Sequence, residues 1–170
     1  MATKTLQDLF INDLKDIHSA EQQLTRALPK LASAATNPEL KQAIQQHLEE
    51  TRTQADRLDR LLEGLEIPSR GQKCAAMEGL LAEAQQLTEL GLEPGALDAA
   101  LIAAAQKVEH YEIAAYGTLC TWAKAMNHGR ALALLLDILA EEKAADERLT
   151  QLAKTTINTA AVRHVRSVGA

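Results

Sequence analysis

Apolar residues recur along this chain at the three- and four-residue steps of amphipathic helices, in four long stretches and one short one. The first, Thr5 to Ser33, lines up Leu6, Phe10, Leu14, Ile17, Leu24, Leu28 and Leu31. Pro29 removes one backbone donor inside it and predicts a kink in its last turns. Thr36-Asn37-Pro38-Glu39 then offers a capping residue with proline in the first turn, a helix start. The second stretch, Pro38 to Leu65, turns Leu40, Ile44, Leu48, Leu58 and Leu61 or Leu62 inward until Ile67-Pro68-Ser69-Arg70-Gly71 breaks it. A shorter amphipathic piece, about 73–90, ends at Gly91 and Pro94. The third long stretch spans Gly95 to Met126 and stops at Asn127-His128-Gly129. The fourth spans Arg130 to Ile157, with Leu132, Leu135, Leu139, Leu149 and Leu152 inward.

A helix of roughly 28 residues is about 42 Å long. Four such rods with short first and last connections make two antiparallel hairpins, and the long middle connection carries the short helix across. The predicted fold class is all-α: a ferritin-like four-helix bundle, residues 1–157, with a helical crossover between its second and third long helices. Residues 158–170 are left as a C-terminal tail.

Each apolar row is interrupted near its middle by acid. On the first helix the row Phe10, Leu14, Ile17, Glu21, Leu24, Leu28 contains one carboxylate. The second reads Leu40, Ile44, His47, Thr51, Gln54, Leu58, with Glu50 one step from its axis. The third reads Leu101, Ala105, Val108, Glu112, Ala115, Leu119, with Glu109 beside it; the fourth reads Leu132, Leu135, Leu139, Glu142, Asp146, Leu149. A single such acid is ordinarily a boundary residue whose head reaches water. Four interruptions at helix midpoints are different, because a midpoint has the same height whether its helix runs up or down. They should converge on one slab.

Two carboxylates about 5 Å apart repel by roughly 3 kcal/mol at an effective dielectric near 20. Six ionised together would exceed the roughly 5–15 kcal/mol that holds a domain folded. Either the acids are protonated or cations neutralise them. Two divalent metals answer the charge, and carboxylate oxygens with one imidazole suit iron or manganese. The candidate metal ligands are Glu21, His47, Glu50, Glu109, Glu112, Glu142 and Asp146, supported by Gln54 and Tyr116. His18, three residues before Glu21, repeats the spacing and is assigned to the rim. His110, His128 and His164 are assigned to the surface or to helix ends, and Glu49, Glu141 and Glu147 to a solvated face.

Composition sharpens this picture. The 170 residues are 46% hydrophobic and only 2% aromatic, so the apolar mass is Ala and Leu, strong helix formers. Eight Gly and four Pro are too few for a chain of many short strands and turns. Cys74 and Cys120 fit no metal or redox spacing, which excludes a disulfide scaffold and predicts inert thiols. The first residues carry charges and no signal-like apolar run, and no stretch approaches the length of a membrane span, so the expected location is the cytoplasm. Net charge is −5, which argues against a nucleic-acid partner. Taking the six acids of the slab from 23 leaves 17 acidic side chains against 18 basic ones, so the excess negative charge is assigned to the interior.

The strings Ala20-Glu21-Gln22-Gln23-Leu24, His47-Leu48-Glu49-Glu50-Thr51, Cys74 to Leu80, Asp98 to Ala114 and Glu141-Glu142-Lys143 through Asp146 resemble the bacterial YciE/YciF family over almost the whole chain. The segment Lys107-Val108-Glu109-His110-Tyr111-Glu112 is the most specific of them. The resemblance implies a ferritin-like fold related to rubrerythrin, a homodimer, a part in bacterial stress responses, and a dinuclear centre at the carboxylates above. Two iron ions are the implied cofactor, with manganese or zinc as alternatives. The sequence departs from the wider di-iron pattern, which places Glu-x-x-His on helices 2 and 4, because Thr53 and Ala145 stand where the histidines would be. Glu109-x-x-Glu112 does match the rubrerythrin-type third helix, and no Cys-x-x-Cys pair supplies a rubredoxin-like module. Two functions follow: a di-iron oxidase or peroxidase of oxidative stress with an unidentified electron donor, or a non-catalytic metal-binding or structural dimer. Leu80, Leu81, Leu87 and Leu90 of the crossover are expected either to pack on the bundle or to meet a second copy.

Overall fold

Helices make up most of the described residues. The structure is a computed structural model that describes residues 4–69 and 72–162, and no strand occurs among them. Five helices follow in order: α1 (Leu6–Ala34), α2 (Pro38–Gly64), α3 (Ala75–Glu89), α4 (Pro94–Ala125) and α5 (Gly129–Leu152). The hairpins α1–α2 and α4–α5 are the most closely packed pairs. They close into a bundle through α1 against α4 and α2 against α5, while α3 crosses outside on α1 and α4. This is the expected four-helix bundle with a helical crossover.

Local chemistry sets the helix ends. Thr5 and Asp8 cap α1 reciprocally: Asp8 N donates to Thr5 Oγ1 (3.3 Å) and Thr5 N to Asp8 Oδ2 (2.7 Å). Asn37 Oδ1 accepts from Glu39 N (2.9 Å) and Leu40 N (3.1 Å), with Pro38 in the first turn of α2. Helix α1 continues through Pro29 to Ala34. The ends of α2 and α4 are closed alike. Glu66 and Asn127 take the left-handed conformation (φ 56° and 58°), and Ile67 N and His128 N reach back to Leu62 O and Ala123 O, both at 2.9 Å.

The turn between α1 and α2 is pinned to α4 by Asp98. This residue is 3% exposed and accepts from Thr36 N (2.7 Å), Thr36 Oγ1 (2.6 Å) and Asn37 N (3.0 Å). The start of α3 is pinned to α1, where Cys74 N donates to Ser19 Oγ (3.1 Å) and Gln23 Nε2 to Cys74 O (3.0 Å). Met77 and Ala84 of α3 are buried, and Leu80 and Leu81 pack against the core, whereas Leu90 is exposed. The crossover therefore packs on the bundle through one face, and of its four leucines only Leu90 is exposed.

The last helix does not stop at Ile157. A π-helical turn, Ala153–Ile157, buries Ile157, and helical structure runs on to 162. Gly95 permits the passage: a Cβ there would lie 2.9 Å from Ala161 Cα. His164 lies outside the described residues.

Candidate metal centre

The apolar rows of α1 and α2 fold as their spacing requires. Phe10, Leu14, Ile17, Glu21, Leu24 and Leu28 are all buried, as are Leu40, Ile44, His47, Thr51, Gln54 and Leu58. Helix α4 buries both Glu109 and Glu112, each 1% exposed. On α5 the buried face is centred differently from the predicted row. It runs Ala131, Leu135, Ile138, Glu142, Ala145, Leu149, which carries Glu142 to the centre and leaves Asp146 at the edge.

Four of the candidates meet. One ligand atom each from His47, Glu109, Glu112 and Glu142 lies within 4.8 Å of the others, and all four residues are buried. Glu21 is fully buried beside them, its Oε1 accepting from the Tyr116 hydroxyl. Gln54 Nε2 donates to Glu142 Oε1 and also to Glu141 Oε2 (3.0 Å), which the Arg57 guanidinium holds from outside. Glu141 is thus half-buried against Gln54 and not merely solvated, as its sequence context suggests.

Glu50 and Asp146 are not brought into this group. Glu50 Oε2 accepts from an Arg148 Nη (2.6 Å) and Oε1 from Gln46 Nε2 (2.9 Å). Asp146 Oδ1 accepts from Gln106 Nε2 (3.1 Å) and faces His110 Nε2 at 3.4 Å. The sequence reading missed Arg148 and Gln46, because a charged side chain on an outer face gives no periodic signal. Of the histidines, His18 sits differently from expectation, whereas His128 stands at a helix end as expected, at the N-cap position of α5. His18 is 2% exposed between α1 and α2 and meets Asp59 Oδ1 at 2.8 Å, away from any rim role. His128 stacks on Phe10 and meets Gln7 Oε1 at 2.7 Å.

The hydrogen-bond ledger of the slab does not balance. Among the described residues, every buried side-chain nitrogen or oxygen without a partner belongs to Glu21, His47, Gln54, Glu109, Glu112 or Glu142. Both oxygens of Glu112 are orphaned, and so are both ring nitrogens of His47. His47 Nε2 lies 3.2 Å from Glu109 Oε1 but is not oriented to bond it. Buried polar groups are ordinarily paired, so a cluster of orphans on one set of inward-facing carboxylates and an imidazole fits the donor set of a cation.

Titration follows the same physics. Burial, then the neighbouring Glu142, pushes Glu109 from 4.5 up to about 10. Burial and adjoining carboxylates push Glu112 and Glu21 well above the usual range, the Tyr116 hydrogen bond opposing this for Glu21. Burial also raises Glu142, against the pull of His47. Glu50 moves the other way: the His47 ring beside it, then Gln46 and Arg148, hold it below the ordinary value despite partial burial.

Residues 5–162 match the family model described as Domain of unknown function (DUF892). The chain is 51% identical over 159 residues to Protein YciF of Escherichia coli K12, covering 93% of this chain and 96% of that protein. It belongs to the YciF family. The crystal structure of the E. coli stress protein YciF superposes with a TM-score of 0.88, covering 92% of this chain and 99% of that one. YcfI from Rhodopseudomonas palustris matches at 45% identity and TM-score 0.84, over 86% and 94% of the two chains. A protein from Xanthomonas campestris, 22% identical with TM-score 0.73 over 94% and 97%, shares the fold. No described helix is long and apolar enough to cross a membrane.

Proposed function

We propose that this YciF-family protein is a dinuclear-metal carboxylate protein of the bacterial stress response that oxidises Fe(II) or consumes peroxide. The observation that carries the reading is the concentration of unpaired buried oxygens and nitrogens on His47, Glu109, Glu112, Glu142 and Glu21. These five would hold the ions, two irons in first place, with Gln54 and Tyr116 orienting Glu142 and Glu21. A bound pair of redox-active ions would supply electron transfer to dioxygen or peroxide. The chain supplies the rest. Leu24, Leu28, Ile44 and Leu135 exclude water around the slab, and the Tyr116 hydroxyl fixes one oxygen of Glu21 while leaving the other free. The stress role is drawn from what the E. coli relative is called. A cytoplasmic homodimer belongs to the same reading, with exposed Leu90 and Leu136 as apolar side chains that a second copy would cover.

Anaerobic Fe(II) titration followed by exposure to peroxide tests it. Two equivalents bound, with peroxide then consumed, is the expected result, and both should be lost in a Glu109→Ala, Glu142→Ala double variant. A folded wild-type chain that binds no iron ends the metal reading.

The second reading is a non-catalytic, stress-associated structural or metal-binding dimer with a carboxylate-rich core, protonated wherever no ion takes the place of its protons. Raised titration at Glu21, Glu109, Glu112 and Glu142 favours it. Metal that binds without any peroxide consumption would select this alternative.

A further inference from the structure

The two nitrogens of His47 serve different sides of the bundle. Nε2 lies 3.2 Å from Glu109 Oε1 on the inner side, and Nδ1 lies 3.9 Å from Glu50 Oε2 on the outer side. The His47 side chain is 9% exposed and neither nitrogen has a hydrogen-bond partner. Glu50, by contrast, is 26% exposed and is held at the rim by Arg148 of α5 and Gln46 of its own helix. The Glu50–Arg148 ion pair therefore bridges α2 and α5 at the level of His47. Beneath it a cavity of about 20 Å³ is lined by Ile44, His47, Glu109, Ala145, Arg148 and Leu149. A space of that size admits roughly one water-sized particle.

We propose that the seam between α2 and α5 is the route by which divalent cations enter, with Glu50 as the outer acceptor and Arg148 as the plug that holds it. This rests on the metal-centre reading above. A cation arriving from solvent meets Glu50 first, and its double charge displaces the single charge of the guanidinium. The unpaired Nδ1 stands next in line, and Nε2 of the same ring already faces Glu109. The imidazole thus offers a nitrogen on each side of the threshold, and Arg148 returns to Glu50 once the ion has passed. Glu50 acts in uptake and is absent from the resident ligand set, which agrees with its orientation away from Glu112 and Glu142.

Stopped-flow uptake of Co(II) by the metal-free full chain, followed by cobalt absorption, with final content from elemental analysis, tests the route. An exposed ion pair is worth up to about 1 kcal/mol, so Arg148→Gln should accelerate uptake by up to about fivefold. Glu50→Gln should slow it by a similar factor, and final cobalt content should match wild type in both. Lys107→Gln removes the same charge on another face of the bundle, where Lys107 of α4 pairs with Glu83 of α3, and should leave the rate unchanged. Uptake by Arg148→Gln at the wild-type rate overturns the proposal, as does equal acceleration by Lys107→Gln, which would mean simple charge attraction. Lower final content in Glu50→Gln with no slowing also overturns it, because Glu50 would then be a resident ligand. A folded wild-type chain that takes up no Co(II) instead removes the metal centre itself, and the route with it.

Discussion

Asp98 and Glu112 lie on the same helix, carry the same chemical group and are almost equally hidden, at 3% and 1% exposure. Their surroundings treat them in opposite ways. Asp98 receives three donors, two from backbone and one from a hydroxyl, and so ties the α1–α2 turn to the start of α4. Glu112 receives none, and the carboxyls of Glu21, Glu142 and Glu109 work against its charged form. A buried carboxylate with its hydrogen bonds made strengthens a fold. A buried carboxylate without them weakens it by desolvation and by like-charge repulsion. A fold that satisfies one so fully and leaves its central group so exposed to repulsion has a use for the second arrangement outside stability.

The largest expected consequence is pH dependence of the metal-free protein. The central carboxyls titrate above their ordinary range in the folded state, Glu109 near 10 against 4.5. Between those values the folded chain holds protons that the unfolded chain has released. The contribution of the protonated carboxyls to stability is therefore fully present below about pH 4.5 and is lost as pH rises toward the folded-state value of about 10 at Glu109. Calorimetry of the chelator-treated protein should show a melting temperature that falls from pH 5 to pH 8. Added divalent metal should flatten that slope, since ions replace protons on the same oxygens. A metal-free melting temperature that rises over this interval would erase the contrast between the two regions.

Asp98→Ala comes next in size. It removes the acceptor of Thr36 N, Thr36 Oγ1 and Asn37 N at a half-buried corner that water can partly reach, a loss of about 2 kcal/mol. Denaturant melts should show the midpoint falling, while metal content per folded chain stays at the wild-type value, because the corner lies away from the central slab. A variant of full stability would mean that Asp98 does no more for the fold than Glu112 does.

How much of this was legible beforehand depends on which kind of signal each residue leaves. The helices and most of the slab were readable, because burial imposes a three-to-four-residue rhythm and Glu21, His47, Glu112 and Glu142 sit within it. Asp146 was misplaced by the same rhythm: Leu132 and Leu139 suggested one row, while packing chose Ala131, Ile138 and Ala145, a small rotation about the helix axis. Glu50 and Arg148 were not legible as a pair, since the two residues stand 98 apart in the sequence and on different helices. Asp98 stands near the start of the third long stretch and gave no hint of its role, which comes from a turn folded onto it from about sixty residues earlier. The continuation of α5 past Ile157 depends on a π turn and on the bare Cα of Gly95, neither of which periodicity records.

The finest test of the comparison makes one chemical change in both places. Asp98→Asn keeps the shape but turns an amide NH₂ toward donors that need an acceptor, at about 1–2 kcal/mol. Glu112→Gln in the metal-free protein replaces a carboxyl already driven to its neutral form, and its two N–H donors gain access to the orphaned oxygens of Glu109 and Glu142. The change there should be neutral or stabilising by up to about 1 kcal/mol. Addition of saturating metal should reverse the order. Wild type then gains stability by binding, whereas Glu112→Gln, having lost an anionic ligand, gains less, and Asp98→Asn gains as much as wild type. Thermal shifts of the three chains with and without metal read all of this in one experiment. Equal losses from both amide substitutions, with equal metal-induced shifts, would show the central carboxylates to be ordinary structural groups.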